Sequence, residues 1–181
     1  MAAGEPRKRG TTLDQSAQTG VEIDRTADWP EILSSVRDYW QGKRGTRTMP
    51  SRNDISPSQL KSQLPHILLA DAVDGGANFR YRLVGTKLRP FFHSEPSGRL
   101  MSEALAPFGD ATVHATLDIY RGVMERGAPM RITGSGSLFG QDPKLFDAWL
   151  APLSDDGVIA NMILGTFMFE WDFEHQFRPP G

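Results

Sequence analysis

The sequence predicts an α+β fold: a five-stranded antiparallel sheet with helices on one face, preceded by an N-terminal amphipathic helix. Two strand-like segments are joined by the turn residues Asp74-Gly75-Gly76, which indicates a hairpin. A strongly helical segment follows, and three further strand-like segments come after it. Because the connections within each group of strands are short, neighbouring strands should run antiparallel.

Composition excludes several classes of protein. The 181 residues carry 20 Lys and Arg against 22 Asp and Glu, so no strong positive charge favours nucleic acid or anionic lipid. No apolar run is long enough for a membrane helix, and the polar N-terminus lacks the apolar segment of a signal peptide, so we expect a cytoplasmic protein. The absence of cysteine excludes disulfides, thiolate catalysis and any chromophore attached through sulfur.

Changes in composition divide the chain into four predicted parts. They are a flexible tail (1–27), a helical extension (28–65), the main domain (66–171) and a C-terminal tail (172–181).

The helical extension begins with an amphipathic pattern. Asp28 and Glu31 have the spacing of a capping box, and helical spacing of apolar residues continues to about Gly42. Its aromatic stripe can pack on the parent domain or form a homodimer contact through residues 29–42, and both interpretations stay open. A second, short helix is expected at 57–63, with Ser56 as its N-cap.

The main domain should open with a hairpin of strands 66–73 and 78–84. In the second strand, strict alternation predicts that Phe79, Tyr81 and Leu83 share one face, opposite Arg80, Arg82 and Val84. A helix at 110–127 follows, and it presents Val113, Leu117, Tyr120 and Met124 on one face. The last strands are expected at 130–139, 145–153 and 158–171.

Several short motifs together resemble a known family. They are P-S-R-N-D-I-S-P at 50–57, L-P at 64–65, F-R-Y-R-L-V-G-T at 79–86 and S-G-R at 97–99, with Trp40 before them. In combination they are similar to the bacterial single-domain PAS family of alphaproteobacterial type, over about residues 28–171. The resemblance implies a PAS-like form of the predicted fold and a sensory or regulatory role, without naming a signal.

Structural roles are expected for most of the motif residues. Arg52 and Asp54 favour a structural ion pair or a carboxylate that accepts backbone hydrogen bonds. Gly85 indicates a tight turn or a positive φ. The motif residues taken as structural are Trp40, Arg52, Asp54, Pro57, Tyr81, Gly85, Thr86 and Gly98.

A pocket between the sheet and the helices is the one functional site with a physical basis, because a few polar groups in such a cavity suffice to orient a ligand. Its candidate lining residues are Phe91, Phe92, His93, Leu105, Tyr120, Met124, Phe146 and Trp149. The alternative is that these side chains simply fill the core. Arg82 could face solvent, pair with an acidic side chain or anchor an anionic ligand.

Cofactor and metal signals are weak. His93 or His114 could ligate a haem iron, but an isolated histidine is more often structural or exposed. The four histidines have no metal-ligand spacing, so we expect no metal site. The sequence does not identify a cofactor, and it disfavours haem and non-covalent flavin without excluding them.

Three functions remain for this chain. The first is a stand-alone PAS module that binds a small molecule or a protein partner and signals in trans, since no kinase, cyclase or DNA-binding segment fits beside the domain. The second is a small enzyme that uses His93 with Asp110 or Asp118, which the absence of catalytic motifs disfavours, so we expect no enzyme. The third is a structural adaptor that never binds a ligand.

Overall fold

A single antiparallel sheet organises the chain in the computed structural model, which describes residues 21–22, 29–135 and 145–169. The sheet strands are β1 (Val21–Glu22), β2 (Ile67–Val73), β3 (Asn78–Val84), β4 (Met130–Ser135), β5 (Leu145–Leu153) and β6 (Met162–Phe169). The helices are α1 (Glu31–Arg44), α2 (Met101–Leu105) and α3 (Asp110–Arg126). The spatial order of the strands is β1-β4-β5-β6-β2-β3.

The predicted fold class is confirmed. Strands β2 and β3 form the first hairpin, and β4, β5 and β6 form the meander. The two groups join where β2 pairs with β6, for example Ile67 opposite Thr166. The five predicted strands are all present, and the two-residue β1 adds an edge strand by pairing with Thr133 and Gly134 of β4.

Helices cover both faces of this sheet. Helices α2 and α3 pack on the face that we call the inner face, whereas α1 lies on the opposite, outer face. In α1, Leu33, Val36 and Trp40 are almost completely buried against outer-face side chains. Helix α1 therefore packs on its own sheet, which is the first of the two interpretations of its aromatic stripe.

Charged groups fasten the N-terminal end of α1. Two guanidinium groups lie over the indole of Trp29, that of Arg37 at 4.6 Å and that of Arg131 at 4.8 Å from the ring centroid. Arg131 in turn forms a buried ion pair with Asp147, whose closest N···O distance is 2.6 Å. The outer face therefore buries both an apolar cluster and a charged pair.

The helix boundaries differ from those predicted. Helix α1 begins after Pro30 and ends at Gly45, which has a φ of 58°, so Gly42 lies inside the helix. The predicted cap Asp28 is outside the described residues. The short helix expected at 57–63 is a single 3-10 turn, Pro57–Leu60, and the side chain of Ser56 makes no capping hydrogen bond.

A β-bulge corrects the face predicted for Leu83. Leu69 lies opposite Leu83 but Ala70 lies opposite Tyr81, so Arg82 is an extra residue in β3. After this extra residue, each side chain of β3 points to the face opposite to the one that strict alternation predicts. Leu83 therefore packs with the apolar side chains between α1 and the outer face, which we call the outer cluster, and Val84 turns to the inner face with Tyr81.

The last strand starts later than predicted. The carboxylate of Asp156 accepts hydrogen bonds from the N–H groups of Val158 and Ile159, which holds them in a loop. The strand expected at 158–171 therefore begins at Met162. Val21–Glu22 lie within the segment predicted to be a flexible tail, while the rest of that tail, the C-terminal tail and residues 136–139 and 170–171 of the predicted strands lie outside the described residues.

Candidate ligand-binding site

An apolar cavity of about 70 Å³ lies between the inner face of the sheet and helices α2 and α3. The sheet contributes Leu68, Tyr81, Ile132, Phe146, Phe167 and Phe169 to its wall. The helical side contributes Leu88, Phe91, Phe92, Leu105, Thr116, Ile119 and Tyr120. Aromatic rings thus form much of the lining.

Strand alternation positions the sheet side of the cavity. Phe167 and Phe169 are two residues apart in β6, so both point to the inner face. The ring of Phe169 stacks on that of Phe91 with centroids 3.8 Å apart, and the ring of Tyr81 meets that of Phe92 edge-on at 5.4 Å. These contacts tie the segment before α2 to the sheet and fix one wall.

Two phenol hydroxyls are the polar groups buried deepest in the lining. Tyr81 comes from β3 and Tyr120 from α3, and both side chains are buried. Among the described residues, no hydrogen bond reaches either hydroxyl, and neither is one of the fully enclosed polar atoms without a partner, which are Arg44 Nε and Thr166 Oγ1. Both hydroxyls therefore keep accessible surface, and both tyrosines line the apolar cavity.

Both tyrosines stay protonated. Burial, and after it the proximity of Tyr120, raises the pKa of Tyr81 well above its usual range. Burial raises the pKa of Tyr120 as well. Each hydroxyl is therefore available as a donor at any ordinary pH.

The cavity opens to solvent past its half-buried lining residues. These are Phe92, Thr116, Ile119 and Phe167. The hydroxyl of Thr116 donates to the carbonyl oxygen of Thr112 at 2.8 Å, so its proton is already used within α3. No side chain that carries a charge at neutral pH belongs to the described lining.

Five of the predicted lining residues do meet at this cavity. They are Phe91, Phe92, Leu105, Tyr120 and Phe146. His93 does not join them, because it is exposed and its ring packs on that of Phe108 with centroids 5.1 Å apart. Met124 lies beside the hairpin turn, where its sulfur would be 3.4 Å from a Cβ on Gly76.

Trp149 and Arg82 lie away from the cavity, which corrects their predicted place in it. Trp149 is three residues from Phe146 on the same strand, so it points to the outer face and packs on Trp40. The guanidinium of Arg82 pairs with the carboxylate of Asp71 at 2.7 Å on the exposed side of the hairpin. Of the three interpretations for Arg82, pairing with an acidic side chain is the one observed.

The motif residues before the sheet have structural contacts. Trp40 donates from Nε1 to the carbonyl oxygen of Pro152 at 3.0 Å. Asp54 accepts from the N–H of Ser51 at 2.8 Å and pairs with Arg47 at 2.9 Å. The Ser51 hydrogen bond is the main reason that the pKa of Asp54 is lowered. Arg52 donates to the carbonyl oxygen of Ile55 and not to Asp54. Of the two predicted arrangements, the carboxylate that accepts a backbone hydrogen bond is therefore the one observed, and the Arg52–Asp54 ion pair is not.

The glycines of the motif act through the backbone. A Cβ on Gly85 would lie 2.3 Å from the carbonyl oxygen of Pro65, so the glycine permits a close approach, and no positive φ is involved. Gly98 does have a positive φ, 83°, and its N–H donates to the carbonyl oxygen of Tyr81 at 2.6 Å. Gly98 thereby holds the strand that carries a cavity tyrosine. Pro57 and Thr86 are exposed.

A family model described as the PAS domain matches residues 30–168, which is more than half of the chain and includes every strand from β2 to β5. The chain belongs to the PAS domain family. No curated protein matches it. The PAS family indicates a sensory or regulatory module in general, and PAS domains are typically not enzymes.

The described histidines of this PAS domain lie away from the cavity. His93 and His114 are exposed, and neither belongs to the lining. Asp118 pairs with Arg121 at 2.6 Å, and no hydrogen bond joins His93 to Asp110 or Asp118 within the described chain. The described residues contain no group of three potential metal ligands and no helix long and apolar enough to cross a membrane.

Several residues that line the PAS cavity are not predicted from the sequence. They are Leu68, Leu88, Thr116, Ile119, Ile132, Phe167 and Phe169, together with Tyr81, for which the sequence predicts only a structural role. Alternation along β6 is a usable signal for Phe167 and Phe169. Thr116 lies one helical turn before Tyr120, so helical spacing could have indicated it.

Proposed function

We propose that this PAS domain is a sensor that binds a small molecule in the inner-face cavity and passes the signal to a second protein. The observation that carries the proposal is the apolar cavity of about 70 Å³ between the sheet and α3. Interiors are normally packed with few voids larger than a water molecule, so an aromatic-lined space open to solvent favours a binding site over an imperfectly filled core.

The first experiment is native mass spectrometry of the protein purified from its own host. Its mass should exceed the denatured mass by that of a non-covalent ligand. The variant Thr116→Phe would place a ring at the cavity mouth and should lose the extra mass. His114→Phe is the matched control, because it adds a ring to the exposed side of the same helix. A clean apo mass in the wild type would contradict the proposal and favour the ligand-free adaptor.

Signalling in trans is the second part of the proposal. The described residues form one sheet with its helices, and this unit would signal by changing how its surface contacts a second protein. Tandem affinity purification with and without the extracted ligand would test this, and a partner set that does not change with ligand would contradict it.

A homodimer through residues 29–42 stays a prediction. The three most buried residues of α1 contact its own sheet, which leaves the half-buried Trp29, Ile32 and Tyr39 for any second copy. Light scattering of an Ile32→Glu variant would test that contact, since Ile32 lies at the rim of the outer cluster. An unchanged mass would exclude this surface. Membership of the bacterial single-domain group within the PAS family also stays a prediction, and so does a cytoplasmic location.

A further inference from the structure

We propose that the cavity takes an uncharged, largely apolar molecule with a carbonyl oxygen, of the ketone or ester class, which accepts hydrogen bonds from Tyr81 and Tyr120. This inference rests on the proposed function, because it names the ligand class of the same cavity.

The wall chemistry sets the body of the ligand. Apart from the hydroxyls of Thr116 and the two tyrosines, the described lining side chains are hydrocarbon or aromatic. A polar ligand body would lose its water shell without gaining partners, which costs free energy. The ligand body should therefore be apolar.

The two phenols set its polar group. Each is a donor that lacks a partner among the described residues, and each stays protonated because its pKa is raised. A single carbonyl oxygen has two lone pairs and can accept from both. A hydrocarbon of the same shape would leave both hydroxyls unsatisfied, and so it should bind more weakly.

The lining also excludes charge. No described lysine, arginine or histidine belongs to the wall, and Arg82 is committed to Asp71 outside it. A carboxylate would therefore enter without a counter-ion and pay a desolvation penalty. Neutral carbonyl compounds are the class that satisfies both the apolar walls and the two donors.

The test compares three probes of similar shape: cyclopentanone, methylenecyclopentane and cyclopentanecarboxylate. Binding to the full chain is followed by the methyl NMR signals of Ile119 and Ile132, which line the cavity. Ile55 lies in the outer cluster and serves as the reference methyl group. We expect cyclopentanone to shift the two cavity methyl groups and to bind about five- to tenfold more tightly than methylenecyclopentane.

The variants Tyr81→Phe and Tyr120→Phe remove one donor each and keep the ring. Both should fold, since neither hydroxyl has a described protein partner, and urea unfolding would verify this. Each should weaken cyclopentanone binding about fivefold and leave methylenecyclopentane binding unchanged. Tyr39→Phe is the control, because that hydroxyl accepts from the N–H of Ser56 far from the cavity.

Each other result overturns a specific claim. If the ketone and the alkene bind equally, or if the Phe variants weaken both alike, the ligand class is wrong and the cavity remains a binding site. Tightest binding of the carboxylate would also reject the ligand class. If no probe moves Ile119 or Ile132 in the folded wild type, both the ligand class and the small-molecule sensor are rejected.

Discussion

The indole rings of Trp40 and Trp149 meet edge to face on the outer side of the sheet, with centroids 6.0 Å apart and planes at 81°. This contact joins α1 to the centre of β5, and the hydrogen bond from Trp40 to Pro152 adds a polar link to the same strand. The first helix is therefore a structural layer of the domain.

Replacing Trp40 by Ala should lower the free energy of unfolding by about 3–5 kcal/mol, because it empties a fully buried site. Urea denaturation followed by circular dichroism would measure the loss. Gln41→Ala changes the next, exposed residue of the same helix and should have little effect. A loss below about 1 kcal/mol for Trp40→Ala would mean that α1 is not firmly docked.

Gly85→Ala should destabilise the domain by more than about 2 kcal/mol, since the new Cβ would lie 2.3 Å from one backbone oxygen and 2.5 Å from another. Gly42→Ala offers a glycine control with the opposite sign. Gly42 lies inside α1, and a Cβ added there would meet no atom within 4 Å, so Ala should stabilise by about 0.5–1 kcal/mol. Thermal unfolding of both variants compares them directly, and equal shifts would refute the close-approach explanation.

Two of the arginine–aspartate pairs, Arg131–Asp147 and Arg82–Asp71, should differ in the free energy that is lost when each is broken. Asp147→Ala leaves the Arg131 guanidinium buried without its carboxylate, which should cost about 3–5 kcal/mol. Asp71→Ala breaks the exposed pair with Arg82 and should cost less than about 1 kcal/mol. Denaturant unfolding of the two variants provides the comparison. Similar losses would show that burial does not govern the strength of these pairs.

The Asp156 loop should respond to acid in a defined range. Hydrogen bonds from the N–H of Ile159, then from Val158 and the Ser154 hydroxyl, lower the pKa of Asp156 to about 2 from an ordinary value of 3.8. Since the folded pKa is the lower one, the stabilisation is complete above about pH 4 and is lost as the pH falls towards 2. The loop amides of Val158 and Ile159 should therefore titrate near pH 2 in NMR spectra.

Asp156→Asn provides the control for this titration, because the two amide signals should then lose the step. A midpoint near 3.8 in the wild type would show that the three hydrogen bonds do not form in solution. The same loop exposes Val158 and Ile159, at 77% and 67% of their surface, so the carboxylate holds two apolar side chains in water.

Local patterns were enough for most of the fold. The hairpin, α3 and β5 follow from turn residues and hydrophobic period, which depend only on neighbouring positions in the chain. The face on which Leu83 lies does not follow from these local patterns, because a bulge depends on the partner strand and leaves no clear signal in the local sequence. The start of β6 differs from the predicted one for a related reason, since the Asp156 side chain holds the backbone that follows it in a loop.

The site was predictable in part. Phe91, Phe92 and Leu105 are recognisable as apolar residues near the helices, and they line the cavity. The sequence alone is enough to exclude Trp149 from the cavity lining. It is an odd number of residues from Phe146 on the same strand, so the two side chains point to opposite faces. The sequence does not reveal that the hydroxyls of Tyr81 and Tyr120 have no hydrogen-bond partner in the described part of the chain, since this is a property of the assembled interior.

All three described tryptophans, Trp29, Trp40 and Trp149, lie on the outer side of the sheet, and none lines the cavity. A ligand in the cavity therefore does not contact these indoles, and their fluorescence would not change through direct contact. Trp171 lies outside the described residues, and a Trp171→Phe background would remove its emission. In that background, a change in tryptophan emission when a ligand fills the cavity would show that ligand binding on the inner face alters the surroundings of the tryptophans on the outer face.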